Sequence, residues 1–322
     1  MSDNLRKVRY YGVLALFFVV TMVGCRGTAN VNSVSNSEVA RPTRIVTDDL
    51  ERRVTVPVKV TRVVSLAPNL TESIYAVGAG DRLVGVTTFC NYPEQAKEIA
   101  KIGDTMNPNM ESIVALKPDI VFVSTASQIE NFTKTLEQNG IAVYVTNPQS
   151  LDGVIHNLEQ FAIMFGTDQT AKPFIENLQT RSQKLNVFTL QRDETPEGYE
   201  KRVLPVRVFV QISKEPLFTI GKGSFVTEVV ERGGGKSVTA NVESAYPKLS
   251  KETASALNPE AIILSDSDDN KEPNEVFKNS PAVKNKRVYK ISADLLSRPG
   301  PRLVDALEQI SKDLHPEEFR DN

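Results

Sequence analysis

The chain has 322 residues, of which 40% are hydrophobic and 24% charged, as expected of a soluble globular protein with one large domain or two of ordinary size. Its formal net charge of -2 argues against a nucleic-acid partner, which normally meets a basic surface.

The first segment reads as a targeting signal rather than as fold. Arg6, Lys7 and Arg9 precede an apolar run from Val13 to Val23, followed by Gly24 and Cys25. A positive flank, a short apolar core and a small residue make a secretory signal. The core falls short of the about 20 apolar residues that span a bilayer. Its end, Met22-Val23-Gly24-Cys25, resembles the lipobox of bacterial lipoproteins, with Met22 in place of the usual Leu. That resemblance implies cleavage before Cys25 and a lipid on its side chain; the alternative is a secreted protein that loses Cys25 with its signal. Residues 1–25 are thus assigned to the signal and residues 26–43 to a flexible tether. Gly27 to Pro42 is rich in Ser, Asn, Thr and Val and has no apolar periodicity. With Cys25 lipidated, Cys90 stands alone and no disulfide scaffold is available. Cys90 reads as a small packing residue rather than a reactive thiol.

Short β-branched runs then alternate with longer amphipathic ones, and residues 44–150 form an expected N-terminal lobe. Strands are expected at Val63-Val64-Ser65-Leu66, Leu83 to Thr87, Ile120 to Ser124 and Ile141 to Thr146. Helices are expected at Thr71 to Val77, Met110 to Leu116 and Asn131 to Gln138, with glycine stops at Gly78 and Gly140. This alternation predicts α/β architecture, with parallel sheets covered on both faces. From Leu151 to about Leu190, Ile155, Leu158, Phe161, Phe165, Ile175, Leu178 and Leu185 recur at helical spacing. Residues 151–190 are read as a connecting helix, with Gly166-Thr167 the point at which it would divide in two. As one piece of about 35–40 residues, rising 1.5 Å per residue, it would span both lobes. Gln191 to Glu200 reads as an exposed loop, and residues 191–322 as a C-terminal lobe.

The second lobe repeats the marks of the first. Thr71-Glu72 opens a helix that stops at Gly78, and Thr227-Glu228 opens one that stops at Gly233. Glu111 is followed seven positions later by Pro118, as Glu252 is by Pro259, and Val143-Tyr144 has a counterpart in Val288-Tyr289. Three marks in one order point to two lobes built to one plan. Each Leu-x-Pro reads as a helix end, proline biasing the residue before it towards extended geometry. Glu111 and Glu252 then lie at the starts of equivalent helices, where the helix dipole favours a negative charge. On pattern alone, capping is as good an account of them as function.

Catalytic and metal chemistry is missing. His156 and His315 have no second ligand nearby in sequence, so a zinc or manganese site is not expected. There is no G-x-S-x-G elbow. Gly221-Lys222-Gly223-Ser224 lacks the glycine spacing of a phosphate loop, and Gly78-Ala79-Gly80 follows a helix, the wrong context for a dinucleotide site. A binding protein without a resident cofactor is expected, not an enzyme.

With these segments in view, the chain resembles the vitamin B12-binding protein family, in the helical-backbone group of periplasmic binding proteins that also carries ferric siderophores and haem. The resemblance runs from about Ile45 to Ile310. Its marks are Arg62-Val-Val-Ser-Leu-Ala-Pro-Asn-Leu-Thr-Glu72, Asn91-Tyr-Pro-Glu-Gln-Ala96, Asn109-Met-Glu-Ser-Ile-Val-Ala-Leu-Lys-Pro-Asp119, Val208-Phe-Val-Gln211, Pro216-Leu-Phe-Thr-Ile-Gly221 and Ser297-Arg-Pro-Gly-Pro-Arg302. It implies two Rossmann-like lobes joined by one long backbone helix, with a ligand cleft between them. It further implies a monomeric, exported, membrane-anchored substrate-binding lipoprotein of an ABC importer. In such proteins one glutamate at each lobe tip docks on arginines of the permease dimer, and Glu111 and Glu252 match those positions.

For the ligand, the resemblance points to Phe89, just before the Asn-Tyr-Pro segment, and to the loop Asp294, Leu295, Leu296, Ser297 and Arg298. Pro68, Asn69, Tyr246 and Phe218 are secondary candidates in the same cleft. One departure bears on the ligand. The chain has no tryptophan, and Thr105, Ser124 and Leu295 stand where the B12 carriers place indoles. Losing about 100 Å² of apolar contact forfeits on the order of 2.5 kcal/mol at roughly 25 cal/mol per Å². Arg298 and Arg302 either brace the last helix or grip an anionic iron chelate. The leading expectation is therefore a corrinoid carrier, beside a ferric siderophore or haem carrier and, in another class, an anchored enzyme or sensor that reuses the fold.

Overall fold

The computed structural model describes residues 41–125, 129–185 and 204–319. The expected signal with Cys25, the tether as far as residue 40 and the loop at 191–200 lie outside those residues. Residues 41–43, expected in the tether, belong to the fold. Arg41 Nη1 donates to Asp119 Oδ1 at 2.8 Å. Thr43 opens β1 (Thr43–Thr47), which pairs antiparallel with β2 (Arg53–Pro57). This ribbon is absent from the expected elements, although Val54 and Val56 alternate with exposed neighbours in the period-two pattern of a half-buried strand.

The N-terminal sheet contains β3 (Val63–Ser65), β4 (Leu83–Val86), β5 (Ile120–Ser124) and β6 (Ala142–Thr146), all parallel, in the order β4-β3-β5-β6. Between them run α1 (Pro68–Ala76), α2 (Met110–Ala115) and α3 (Ile129–Gln138). Burial on both faces explains why β5 reads as an unbroken apolar run, Ile-Val-Phe-Val, rather than an alternating one.

The C-terminal sheet repeats the plan. Its strands are β7 (Val206–Gln211), β8 (Gly235–Ser237), β9 (Ala261–Asp266) and β10 (Val288–Ser292), parallel in the order β10-β9-β7-β8. Helices α6 (Phe225–Arg232), α7 (Lys251–Leu257) and α8 (Pro281–Lys284) connect them, and α9 (Ala293–Leu296) and α10 (Leu303–Leu314) follow. Reading β7 for β3, β8 for β4, β9 for β5 and β10 for β6 reproduces the first sheet. The match extends to register: Val143 lies opposite Val121, the third residue after Pro118, and Val288 lies opposite Ile262, the third after Pro259.

The two Leu-x-Pro corners are also alike, but not in the way proline alone predicts. Lys117 and Asn258, each before a proline, take left-handed backbones with φ of 46° and 44° rather than extended ones. The left-handed step turns the chain out of the helix and frees its last carbonyls for other donors. Arg62 Nη2 donates to the Leu116 carbonyl at 2.6 Å, and Arg207 Nη2 donates to the Leu257 carbonyl at 2.6 Å.

The connecting segment is helical but divides at Gly166-Thr167 into α4 (Leu151–Phe165) and α5 (Asp168–Leu185). Gly166 closes α4 with φ 64° and ψ 34°, a conformation glycine adopts without steric cost. Gln179 Nε2 donates to Glu159 Oε1 at 3.0 Å, so α5 runs back along α4 instead of extending it. The long backbone helix therefore starts at Asp168 rather than at 151, and its expected last residues, 186–190, lie outside the described ones. Its 18 residues span about 27 Å. On the C-terminal lobe, Arg181 of α5 donates to Asp305 Oδ1 at 2.6 Å and to Glu308 Oε1 at 2.7 Å, both on α10.

One buried cluster runs through both lobes, from Phe122 and Phe161 to Val208, Ile263 and Leu307. Phe161 of α4 meets Phe122 of β5 edge-on, ring centroids 4.7 Å apart. A separate cluster fills the far side of each sheet. This shared core joins the two lobes.

Candidate functional site

Parallel α/β sheets offer their ligand surface at the carboxyl ends of the strands. The turn after β3 leads into α1, with Pro68 at its first helical position, where the fixed φ is pre-organised and the missing N–H costs nothing. One turn later comes Glu72, only 2% exposed.

Glu72 is met across the lobe boundary by two arginines. Arg298 Nη1 donates to its Oε1 at 2.9 Å. Arg302 Nε donates to Oε2 at 2.8 Å and Arg302 Nη2 to Oε1 at 2.7 Å. A carboxylate this deeply buried is tolerable only with such charge-assisted partners. The Glu72 carboxylate in turn holds the Arg302 guanidinium above its usual pKa.

The network extends to neighbouring loops. Arg298 Nη1 also donates to Asn91 Oδ1 at 2.8 Å, and its Nη2 lies 2.6 Å from Asp294 Oδ1. Asn91 Nδ2 donates to Asp294 Oδ2 at 3.3 Å, and Asn69 Nδ2 to the Pro299 carbonyl at 3.3 Å. The Arg302 guanidinium lies over the Tyr92 ring, 4.1 Å from its centroid. Tyr92 is 47% exposed, and Phe89, three residues earlier on the same segment, is 58% exposed. Cys90 between them points into the core, within 3.1 Å of Thr71 Oγ1 and 3.2 Å of Thr87 Oγ1.

The expected ligand residues separate accordingly. Asn69, Asp294 and Arg298 belong to the interlobe network, and Phe89 is exposed two residues before Asn91. Pro68 is half-buried at the start of α1, Leu295 is half-buried against the core, and Ser297 is exposed, its hydroxyl donating to the Ala293 carbonyl at 2.6 Å. Leu296 is a correction: fully buried, it is part of the shared core and has no surface for a ligand. Phe218 and Tyr246 are carried by a separate pair of C-terminal segments joined by Thr219 N to the Pro247 carbonyl at 3.1 Å and Gly221 N to the Ala245 carbonyl at 3.0 Å. Phe218 is half-buried and Tyr246 is 43% exposed.

A second junction closes the lobes through α6 and α4. Glu228 Oε2 accepts from the Leu151 N–H at 3.1 Å, at the start of α4. Arg232 pairs with Glu228 and with Asp152, and its Nη1 donates to Ser182 Oγ at 3.0 Å. Burial pushes the Glu228 carboxyl above its ordinary range, opposed by Arg232 beside it.

Glu111 and Glu252 occupy matching places at the starts of α2 and α7. Asn109 caps α2, its side chain accepting from Ser112 N at 2.9 Å; Ser250 caps α7, accepting from Thr253 N at 3.1 Å. Glu111 and Glu252 each follow the cap by two residues, and both are exposed. Hydrogen bonds from its own N–H and from Ser250 hold the Glu252 carboxyl below its usual range.

Glu72, Asn91 and Tyr92 join this interlobe network, although in the sequence they stand out only as family or repeat marks. The paired Thr-Glu steps, read with two arginines four residues apart in the last motif, were the available signal for the interlobe junctions.

Comparison with known proteins agrees with this fold. An uncharacterized ABC transporter substrate-binding lipoprotein, YvrC of Bacillus subtilis, is 30% identical over 315 residues, covering 95% of this chain and 96% of its own. The vitamin B12-binding protein of Vibrio cholerae is 30% identical over 264 residues, covering 79% of this chain and 89% of its own. Its crystal structure superimposes with a TM-score of 0.68 at 28% identity, covering 81% of this chain and 99% of that one. A periplasmic haem-binding protein from Pseudomonas aeruginosa shares the fold, with a TM-score of 0.67 at 22% identity over 80% of this chain and 93% of that one. The periplasmic binding protein model matches residues 63–295, from β3 to α9, and the chain belongs to the periplasmic binding protein family.

Proposed function

We propose that this substrate-binding protein of an ABC importer captures a corrinoid between its lobes and hands it to a membrane permease. The observation that carries the reading is the pair of exposed aromatics, Phe89 and Tyr92, over a floor whose charges are already paired. A large, mostly apolar ring needs aromatic area and few free charges, and this surface supplies both. The vitamin B12-binding protein of Vibrio cholerae, similar over most of both chains, supports the same ligand class.

In this reading Phe89, Tyr92 and Tyr246 face the ligand, the 294–298 loop lies beside it, and Glu111 and Glu252 present one negative charge at each tip to arginines of the permease dimer. Two like charges on equivalent helices fix orientation and speed encounter more than they add affinity. A lipid on Cys25 keeps the exported monomer at the membrane. The corrinoid is cargo; the protein holds no resident cofactor and performs no catalysis.

Titration calorimetry of the purified chain with cyanocobalamin, haemin and ferric siderophores tests this. Tight one-to-one binding of cyanocobalamin is expected. Binding of an iron chelate or haemin with no cyanocobalamin signal would replace the ligand while retaining the importer role, and catalytic turnover of any of them would overturn the carrier reading.

A further inference from the structure

The cleft floor holds two arginines, the usual device for gripping carboxylates. Here both are engaged by the protein itself. Glu72, with 1% of its side-chain surface exposed, bonds Arg298 and Arg302 together, and Asp294 takes the remaining side of Arg298. Two positive and two negative side chains therefore sum to zero at this point. The arginines keep 12% and 21% of their side-chain surfaces exposed, so a ligand beside Asn91 and Tyr92 senses their field. Screening is weak in such a half-buried site, and one unbalanced charge there acts over several ångströms.

We infer that Glu72 sets the charge selectivity of the cleft: by neutralising Arg298 and Arg302 it favours a macrocycle without net charge over an anionic one of similar size. It does so through the arginines, without touching the ligand, and so is a positioning and charge-setting residue. Through Arg302 it also fixes Tyr92, whose ring lies 4.1 Å from the guanidinium. The inference rests on the ligand binding between the lobes, as proposed above, and adds what decides among ligands there.

The test uses Glu72→Gln and Arg302→Gln in the purified chain, with cyanocobalamin and haemin, whose propionates are anionic, as probes. Glu72→Gln leaves the floor one unit more positive and Arg302→Gln one unit more negative. The haemin-to-cyanocobalamin affinity ratio is expected to rise about tenfold in the first and to fall in the second, both shifts shrinking as salt is added. A brace with no role in selectivity would lower affinity for both probes alike. Wild-type binding of cyanocobalamin with an unmoved ratio in both variants overturns this inference and leaves the carrier reading intact. Failure of the wild type to bind either probe overturns both. Wild-type preference for haemin removes the corrinoid reading, and a ratio that still moves in opposite directions in the two variants retains the role of Glu72.

Discussion

Glu72 and Glu228 occupy equivalent places on the first helix of each lobe, and each reaches across to the other half. Glu72 takes Arg302 Nε at 2.8 Å, and Glu228 takes the Leu151 N–H at 3.1 Å. The duplicated fold has thus put a duplicated acid to work at the lobe boundary with different partners: Arg298 and Arg302 for Glu72, and for Glu228 a helix N-terminus beside Arg232 of its own helix. The second arrangement is favoured by the positive end of the helix dipole.

Breaking the first junction should be costly. Glu72→Ala leaves two arginines without their buried partner, and removing one member of such a pair costs about 3–5 kcal/mol. Urea denaturation of the variant should show a lower midpoint with an unchanged slope. A variant as stable as wild type would mean that the junction is solvated and contributes nothing.

Reversing the tip charges should spare the fold. Glu111→Lys with Glu252→Lys alters only exposed second positions of capped helices, so ligand affinity should stay within twofold. Losing acid charge near two helix starts should cost little stability, because both side chains are exposed and screened by solvent. Uptake in cells should be abolished, and wild-type uptake by the double variant would remove these residues from the docking surface.

Cys25→Ser should leave ligand binding unchanged and release the protein from membranes, read by sedimentation of cell fractions. A variant that still sediments with membranes would point to an uncleaved apolar anchor at residues 13–23.

The clamp of α5 on α10 should weaken in acid. The hydrogen bond from Arg181 holds the Glu308 carboxyl below its ordinary range. As pH falls, the unfolded chain takes up this proton first. The clamp's contribution is therefore complete above the ordinary glutamate range and lost as pH falls through the lower folded value. Glu308→Gln should be less stable than wild type at neutral pH, with the two curves converging in acid. A difference that persists at low pH would assign the clamp to packing instead of charge.

Much of the architecture was legible from local signals. Strand β5 is written as an uninterrupted apolar run because both its faces are buried, and the equal spacing from Glu111 to Pro118 and from Glu252 to Pro259 exposed the duplication. The break at Gly166-Thr167 was visible as a sequence feature, but its direction was not. Whether a helix resumes straight or folds back depends on what its apolar face meets, here α4 on one side and α10 on the other.

The sequence by itself determined the α/β class, the repeated lobes and the places of Glu111 and Glu252, because each depends on periodicity, caps and prolines within a short stretch of chain. Only the tertiary structure decided that Leu296 is core, that Arg298 and Arg302 are already paired, and that Glu72 is their partner 226 and 230 residues away. Local spacing carries no record of such a pairing. It forms because one buried carboxylate must find opposite charge, and the shared core brings the two lobes close enough to supply it.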